Sequence, residues 1–318
     1  MPKSTARRDI MSSSLPTAVL SRTGLAVTRL GYGAMEIRGP RIWGGRPVTE
    51  DQARTILNAV LDAGINFIDT SNDYGRSEEF IGKYIAHRRQ EFYLATKCGC
   101  RVTRRDEQTD DTPHVWTREN LWRGLHESLT RLKTDYVDVI QLHNPPADVC
   151  EQAGLVDVLR EMRQQGKARF IGVSTTLPHL PAYLKWNAFD TFQIPYSALE
   201  RDHEDWITTV GEAGSGVIVR GGVAKGEPGA GLGRPDRWAK FEAARLDDLR
   251  AAGESRTSFL LRYTLTHPHA HTIIVGTLHP EHLAENVQAI GRGPLPAAIY
   301  AEARRRLAEV GVVPATAA

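Results

Sequence analysis

Cysteine is scarce in this chain: Cys98, Cys100 and Cys150 are the only three in 318 residues. Disulfide-stapled folds are typically short and cysteine-dense, so unpaired thiols and a cytoplasmic location fit better. Cys98 and Cys100 flank Gly99, but no second Cys/His pair stands at zinc-ligand spacing, so no metal site is expected. Long apolar runs are also lacking. Nowhere do about 18 apolar residues follow one another, which excludes an ordinary transmembrane helix. Nor is there an excess of one charge. Lys plus Arg number 40 against 38 for Asp plus Glu, a formal +2, which offers no electrostatic reason to expect nucleic acid or an anionic membrane as partner. A small molecule is the expected ligand.

The N-terminus begins basic and carries Arg7-Arg8, yet no apolar run of about 7–15 residues follows, as an export signal requires. Residues 1–16 read as a disordered tail, with Met11 an alternative start, and 17–314 as a single domain. The glycine fingerprint of doubly wound dinucleotide-binding sheets is missing as well. Gly31 and Gly33 lack the third glycine and no helix follows at once.

What the chain does contain is a rhythm. Residues 17–21 and 25–29 read as two short strands around Thr23-Gly24, a hairpin signal. Eight apolar runs follow, at 30–34, 66–70, 92–98, 136–143, 169–174, 191–196, 217–220 and 272–276. Segments 50–63, 117–132, 155–165 and 280–289, among those lying between and after the runs, repeat apolar residues at three- and four-residue spacing. Thr49 with Gln52, and Thr117 with Asn120, mark two helix starts. Alternating strand and helix signals point to α/β architecture, and eight strands to a closed (β/α)8 TIM barrel preceded by a β-hairpin. Two segments break the spacing, 99–116 with its charges and 221–238 with its glycines; both follow strands, where barrel enzymes carry substrate and cofactor loops.

Buried parallel strands are apolar, so the ionisable residues at their carboxyl ends are informative. Asp69, Lys97 and His143 end the second, third and fourth runs, and Tyr74 follows Asp69 in its loop. Such a set suits carbonyl reduction. The carbonyl oxygen gains negative charge as hydride arrives and needs a nearby acid. A tyrosine serves at neutral pH only if a cation stabilises its phenolate, which Lys97 can do while Asp69 holds the ammonium and His143 orients the carbonyl. Taken singly, each has a plainer explanation as a rim charge, a loop aromatic or a strand-end cap.

The run GINFIDTSNDYG from Gly64 to Gly75, followed by Ser77-Glu78-Glu79 and Gly82, resembles the signature of the aldo-keto reductases. The resemblance continues through Ala95-Thr96-Lys97, Ser128 to Leu132, Tyr136-Val137-Asp138, His143, Lys167, Ile171 to Ser174, Gln193 and Glu285-Asn286. It implies an oxidoreductase that reduces an aldehyde or ketone with NADP(H), NAD(H) being the alternative cofactor, through a tetrad of Asp69, Tyr74, Lys97 and His143. It further implies nicotinamide contacts from Ser174 and Gln193, and adenosine contacts from Gly276, Thr277, His282, Glu285 and Asn286. Thr175 stands where the family often has asparagine, and Arg220 where many relatives carry an aromatic stacked on the nicotinamide; a guanidinium plane also stacks. Relatives commonly add Lys or Arg at the 2′-phosphate, where this chain offers Thr277, His279 and His282, so the NADP(H) preference is expected to be modest. Trp43, Trp116 and Asn144 lie in loops of the expected mouth and are substrate-contact candidates. Two rival readings remain: a Schiff-base aldolase through Lys97, and a cofactor-binding regulatory or redox-sensing subunit. The residues name neither a substrate nor an oligomeric state.

Overall fold

Eight of the short apolar runs become eight parallel strands in the computed structural model of the chain, in which residues 15–229 and 231–315 are described. A two-stranded hairpin comes first, β1 (Thr17–Val19) against β2 (Ala26–Thr28). The barrel strands are β3 (Leu30–Gly33), β4 (Phe67–Asp69), β5 (Tyr93–Cys98), β8 (Val137–His143), β9 (Ala168–Ser174), β10 (Thr191–Pro195), β11 (Gly216–Arg220) and β12 (Thr272–Val275). Between β5 and β8 a small ribbon, β6 (Thr103–Arg104) with β7 (Asp110–Asp111), occupies the charged segment that broke the rhythm. Its anchor is Arg41, which binds Asp110 through Nε at 2.8 Å. The barrel closes where β12 pairs with β3, Ile273 opposite Leu30.

The helices are α1 (Glu50–Asp62), α2 (Ser77–Tyr84), α3 (Arg118–Leu132), α4 (Ala147–Gln152), α5 (Leu155–Gln164), α6 (Leu180–Trp186), α7 (Glu204–Glu212), α8 (Pro235–Ala243), α9 (Arg256–Thr266), α10 (Pro280–Gly291) and α11 (Ala297–Glu309). Local chemistry explains where two of them begin. Thr49 and Gln52 exchange side-chain and backbone hydrogen bonds in a capping box before α1, and Thr117 Oγ1 accepts from Asn120 N before α3. In α5 the buried positions are Leu155, Val158, Leu159 and Met162, the helical spacing that turns one stripe toward the strands.

The core falls into two layers. The larger lies between strands and helices. The smaller fills the N-terminal end of the barrel, where Leu20, Leu25 and Val27 pack with Phe67, Tyr93, Ala95, Val139 and Ile218. Each such aliphatic side chain contributes roughly 1.5–3 kcal/mol when removed from water. Of the tail expected over 1–16, residues 1–14 lie outside the described residues, while Leu15 is buried in the larger core and Pro16 O accepts from Arg29 N. All three cysteines are free and buried. No helix among the described residues is long and apolar enough to cross a membrane.

Candidate active site

Strand ends bring Asp69, Lys97 and His143 to one mouth of the barrel, and the loop after β4 adds Tyr74. That loop is pinned by Tyr74 N donating to Ser71 O, Ser77 N donating to Tyr74 O, and Ser77 Oγ donating to Ala34 O. Gly75 then turns with φ +46°, against the carbonyl of Arg38, where a Cβ would stand only 2.3 Å from that oxygen. The turn leaves Tyr74 nearly buried, at 8% exposure.

The Lys97 ammonium is fully enclosed. Nζ donates to Asp69 Oδ2 at 2.6 Å and to Thr70 O at 2.8 Å, and lies 4.8 Å from the centre of the Tyr74 ring. Asp69 Oδ1 accepts from two amides, Gln193 Nε2 at 2.8 Å and Gln141 Nε2 at 3.0 Å. The carboxylate is thereby gripped on both oxygens and cannot turn without losing bonds in a medium that offers no water in exchange. Burial alone would lower the Lys97 pKa, but the charges of Asp69, Tyr74 and Asp73 and the Asp69 hydrogen bond raise it above the ordinary lysine value. Burial likewise raises the Tyr74 pKa, and Lys97 opposes that rise. Neutral phenol beside a retained ammonium is therefore the resting pair.

His143 stands edge-on to Tyr74 with ring centres 6.0 Å apart. Its Nδ1 faces Cys100 Sγ at 3.1 Å, Ser71 Oγ at 3.4 Å and Asp73 Oδ1 at 3.5 Å, which leaves Nε2 without a hydrogen bond among the described residues. Sequence reasoning did not single out Gln141, Asp73 or Cys100 as supports. For Gln141 a signal existed: it precedes His143 by two positions and so shares its face of β8.

From these groups a cavity of about 680 Å³ runs toward the far rim, within the range of small-ligand sites of about 300–1,000 Å³. Asp69, Tyr74, His143, Asn144, Ser174, Gln193, Arg220, Gly276, Thr277, His282, Glu285, Asn286 and Trp43 all line it. Thr175 and Trp116 do not. Thr175 is buried with its hydroxyl on Thr176 O, and Trp116 stacks on His114, filling the space where Gly99 lacks a Cβ. Trp43 is half exposed and meets Tyr74 edge-on at 5.9 Å. Ser174 Oγ donates to Asn144 Oδ1.

Arg220 tests what the cavity suits. Its Nε is buried with no hydrogen-bond partner among the described residues, and burial lowers its pKa. No carboxylate stands within ion-pair distance of it among the described residues; Glu200 is taken by Arg237. An unpaired guanidinium plane lining a cavity fits a flat, polar or anionic ligand. At the far rim Tyr32 OH donates to Thr277 O at 2.9 Å, and Glu285 Oε1 accepts from Ser255 and Ser258 hydroxyls. Ser255 and Thr257, at the start of α9, also line the cavity and were not anticipated from the sequence. Residues 221–227, with Gly231, Leu232 and Arg234, of the glycine-rich segment border the cavity, with left-handed backbone at Gly221, Ala224, Lys225 and Gly226.

The family model "Aldo/keto reductase family" matches residues 29–305. The chain belongs to the aldo/keto reductase family. It is therefore an oxidoreductase, and its resemblances are broad. The uncharacterized oxidoreductase YqkF of Bacillus subtilis (strain 168) is 29% identical over 291 residues, covering 85% of this chain and 89% of that protein. L-galactose dehydrogenase of Arabidopsis thaliana is 26% identical over 294 residues, covering 85% and 86%. Among solved structures, the holo form of aldo-keto reductase AKR11C1 from Bacillus halodurans matches with a TM-score of 0.80 at 28% identity, over 92% of this chain and 96% of that one. An aldo/keto reductase with these strand ends has the means for carbonyl chemistry.

Proposed function

We propose that this protein reduces an aldehyde or ketone to an alcohol, with Tyr74 as proton donor and NADP(H) as coenzyme. The observation that carries the reading is the Tyr74 phenol beside a Lys97 ammonium that Asp69 grips at 2.6 Å. Reduced nicotinamide would supply hydride to the carbonyl carbon. As the oxygen gains charge, Tyr74 O–H gives it a proton, and the resulting phenolate is stabilised by Lys97. His143 Nε2, without a hydrogen bond among the described residues, donates a hydrogen bond to the same oxygen and aligns it. Asp69, Gln141 and Gln193 keep the ammonium fixed throughout.

The residues that would hold the coenzyme are Ser174 and Gln193 at the nicotinamide, Arg220 stacked on it, and Gly276, Thr277, His282, Glu285 and Asn286 around the adenosine. Gln193 already donates one amide hydrogen to Asp69, so its remaining hydrogen and its oxygen are what it can offer. Thr175 is a weaker candidate, since it does not line the cavity. Preference for NADP(H) over NAD(H) is modest, because the rim carries histidines in place of a fixed cationic clamp. Trp43 and Asn144 are the substrate contacts; Trp116 is a weaker candidate, since it does not line the cavity. We read residues 17–314 as one domain, because the closed barrel draws strands from Leu30 to Val275. Three unpaired cysteines support a reducing, cytoplasmic setting.

The Schiff-base alternative needs Lys97 as a free amine, and its raised pKa argues against that. The test is Tyr74→Phe. It removes only the acid, so carbonyl reduction should fall at least about 10²-fold while coenzyme affinity persists. A variant that reduces carbonyls at the wild-type rate would overturn the mechanism. Borohydride should trap no substrate on Lys97.

A further inference from the structure

Behind His143, away from the Lys97 ammonium, a second group of ligand-type atoms meets. Cys100 and His114 face each other across an isolated antiparallel bridge. Arg101 N donates to Pro113 O and Val115 N to Gly99 O, both at 2.8 Å, so the two backbones are held in register. Directly opposed residues carry Cβ atoms about 4.5–5.5 Å apart, which sets the thiol beside the imidazole. His114 is further oriented by stacking on Trp116, ring centres 5.1 Å apart and planes 15° from parallel. From the end of β8, His143 Nδ1 comes to 3.1 Å from Cys100 Sγ and 3.5 Å from Asp73 Oδ1. One ligand atom from each of Cys100, His114 and His143 lies within 4.8 Å of the other two.

Those distances have a meaning in coordination chemistry. At bond lengths of about 2.3 Å to sulfur and 2.0–2.1 Å to nitrogen, the donors of a tetrahedral cation stand roughly 3.4–3.7 Å apart. Adjustment on the order of 1 Å closes the Cys100, His114 and His143 atoms around one ion, and the exposed His114 makes most of it by turning partly off its stack on Trp116. We propose that Cys100, His114 and His143, with Asp73 as fourth donor, form a binding site for a zinc-class divalent cation. Sulfur and imidazole donors select zinc or cobalt over magnesium or calcium. On binding, the Cys100 thiol releases its proton and forms a bond to the ion; thiolate and carboxylate together balance its two charges. The ion takes the lone pair of His143 Nδ1, which leaves the ring proton on Nε2, facing the cavity. Bound cation and carbonyl orientation by His143 are therefore compatible. No compact ligand spacing reveals the set, because its members come from the loop after β4, the two sides of the bridge and the end of β8.

The test reads binding, not turnover, so its outcome is independent of the hydride-transfer reading. Full-length protein stripped with a chelator is titrated with Co²⁺ in the absence of substrate and coenzyme. Expected are one equivalent bound, a thiolate-to-cobalt charge-transfer band, the intense visible absorption of tetrahedral cobalt, and displacement by Zn²⁺. Cys100→Ser should abolish the charge-transfer band, whereas Cys150→Ala should keep it. His114→Ala, a surface change that does not rely on the Cys100 variant folding, should weaken cobalt binding at least about 10-fold. A wild-type protein without the thiolate band, a band that survives Cys100→Ser, or unchanged affinity in His114→Ala overturns the site.

Discussion

At the N-terminal end of the barrel, Leu20, Leu25 and Val27 close over Phe67, Tyr93 and Val139, whereas at the opposite end Asp69, Lys97, Gln141 and Gln193 are buried just as deeply. The two ends reach equal dryness by opposite means. The apolar end gains free energy from every atom it removes from water. The polar end loses hydration on burial and recovers it only through matched partners, such as the two amides and one ammonium on Asp69. A strand that carries Phe67 and Asp69 two positions apart belongs to both ends at once. Stability and chemistry are thus separated along three residues of a single strand.

If that separation is real, substitutions at the two ends should move different observables. The largest expected effect is on stability at the apolar end. Leu20→Ala should cost about 2–5 kcal/mol in urea unfolding, while the folded variant keeps its kcat/KM for carbonyl reduction. Tyr74→Phe should do the reverse, losing at least about 10²-fold in kcat/KM with an unfolding free energy near that of the wild type. Activity lost in Leu20→Ala beyond the unfolded fraction would break the comparison.

A smaller effect is expected from pH at the base of the barrel. His271 Nδ1 accepts from Val217 N at 3.0 Å, and burial pushes its pKa down to about 4. An imidazole kept neutral in the fold and free to protonate when unfolded makes the unfolded state bind more protons below the ordinary histidine value near 6.5. Its stabilising contribution is thus whole above about 6.5 and is lost as pH falls toward about 4. Urea midpoints measured across that window should drop less in His271→Gln than in the wild type; equal drops would remove His271 from the account.

The smallest effect is at the coenzyme rim. His279 and His282 lie with ring centres 5.0 Å apart and planes tilted by 58°, and His279 Nδ1 is 3.3 Å from Glu281. Imidazole N–H groups at this rim are positioned to donate to a 2′-phosphate, so His279→Ala combined with His282→Ala should weaken NADPH affinity several-fold, and more than NADH affinity. Equal losses for the two coenzymes would exclude these histidines from contact with the 2′-phosphate.

Much of the architecture was legible because parallel barrels repeat one pattern. The apolar run at 92–98 becomes Tyr93–Cys98, and the capping hydroxyls of Thr49 and Thr117 start helices as their spacing suggests. What sequence periodicity does not encode is the pairing of side chains brought together from distant strands. The grip of Gln141 and Gln193 on one oxygen of Asp69 spans elements far apart in the chain. Trp116 illustrates another gap. A loop tryptophan after a mouth strand reads as a pocket wall, yet the vacancy left by Gly99 draws it toward His114 instead. Thr175 likewise follows Ser174 in sequence but does not line the cavity, because it lies just past the end of β9 and turns its hydroxyl onto Thr176 O. The charged segment 99–116 has no period to read, and its ribbon depends on Arg41, a residue from a different loop.

Closure of the barrel has a consequence for synthesis. Leu30 pairs with Ile273, so β3 emerges from the ribosome early and waits for almost the entire chain before its second neighbour exists. Until then it is an open edge, and open edges recruit other strands. The hairpin comes earlier still and can fold locally against the base of the growing sheet. A truncation between β8 and β12 would leave a protein that still carries Asp69, Tyr74, Lys97 and His143 but has a permanent seam, prone to aggregate before any activity could be measured.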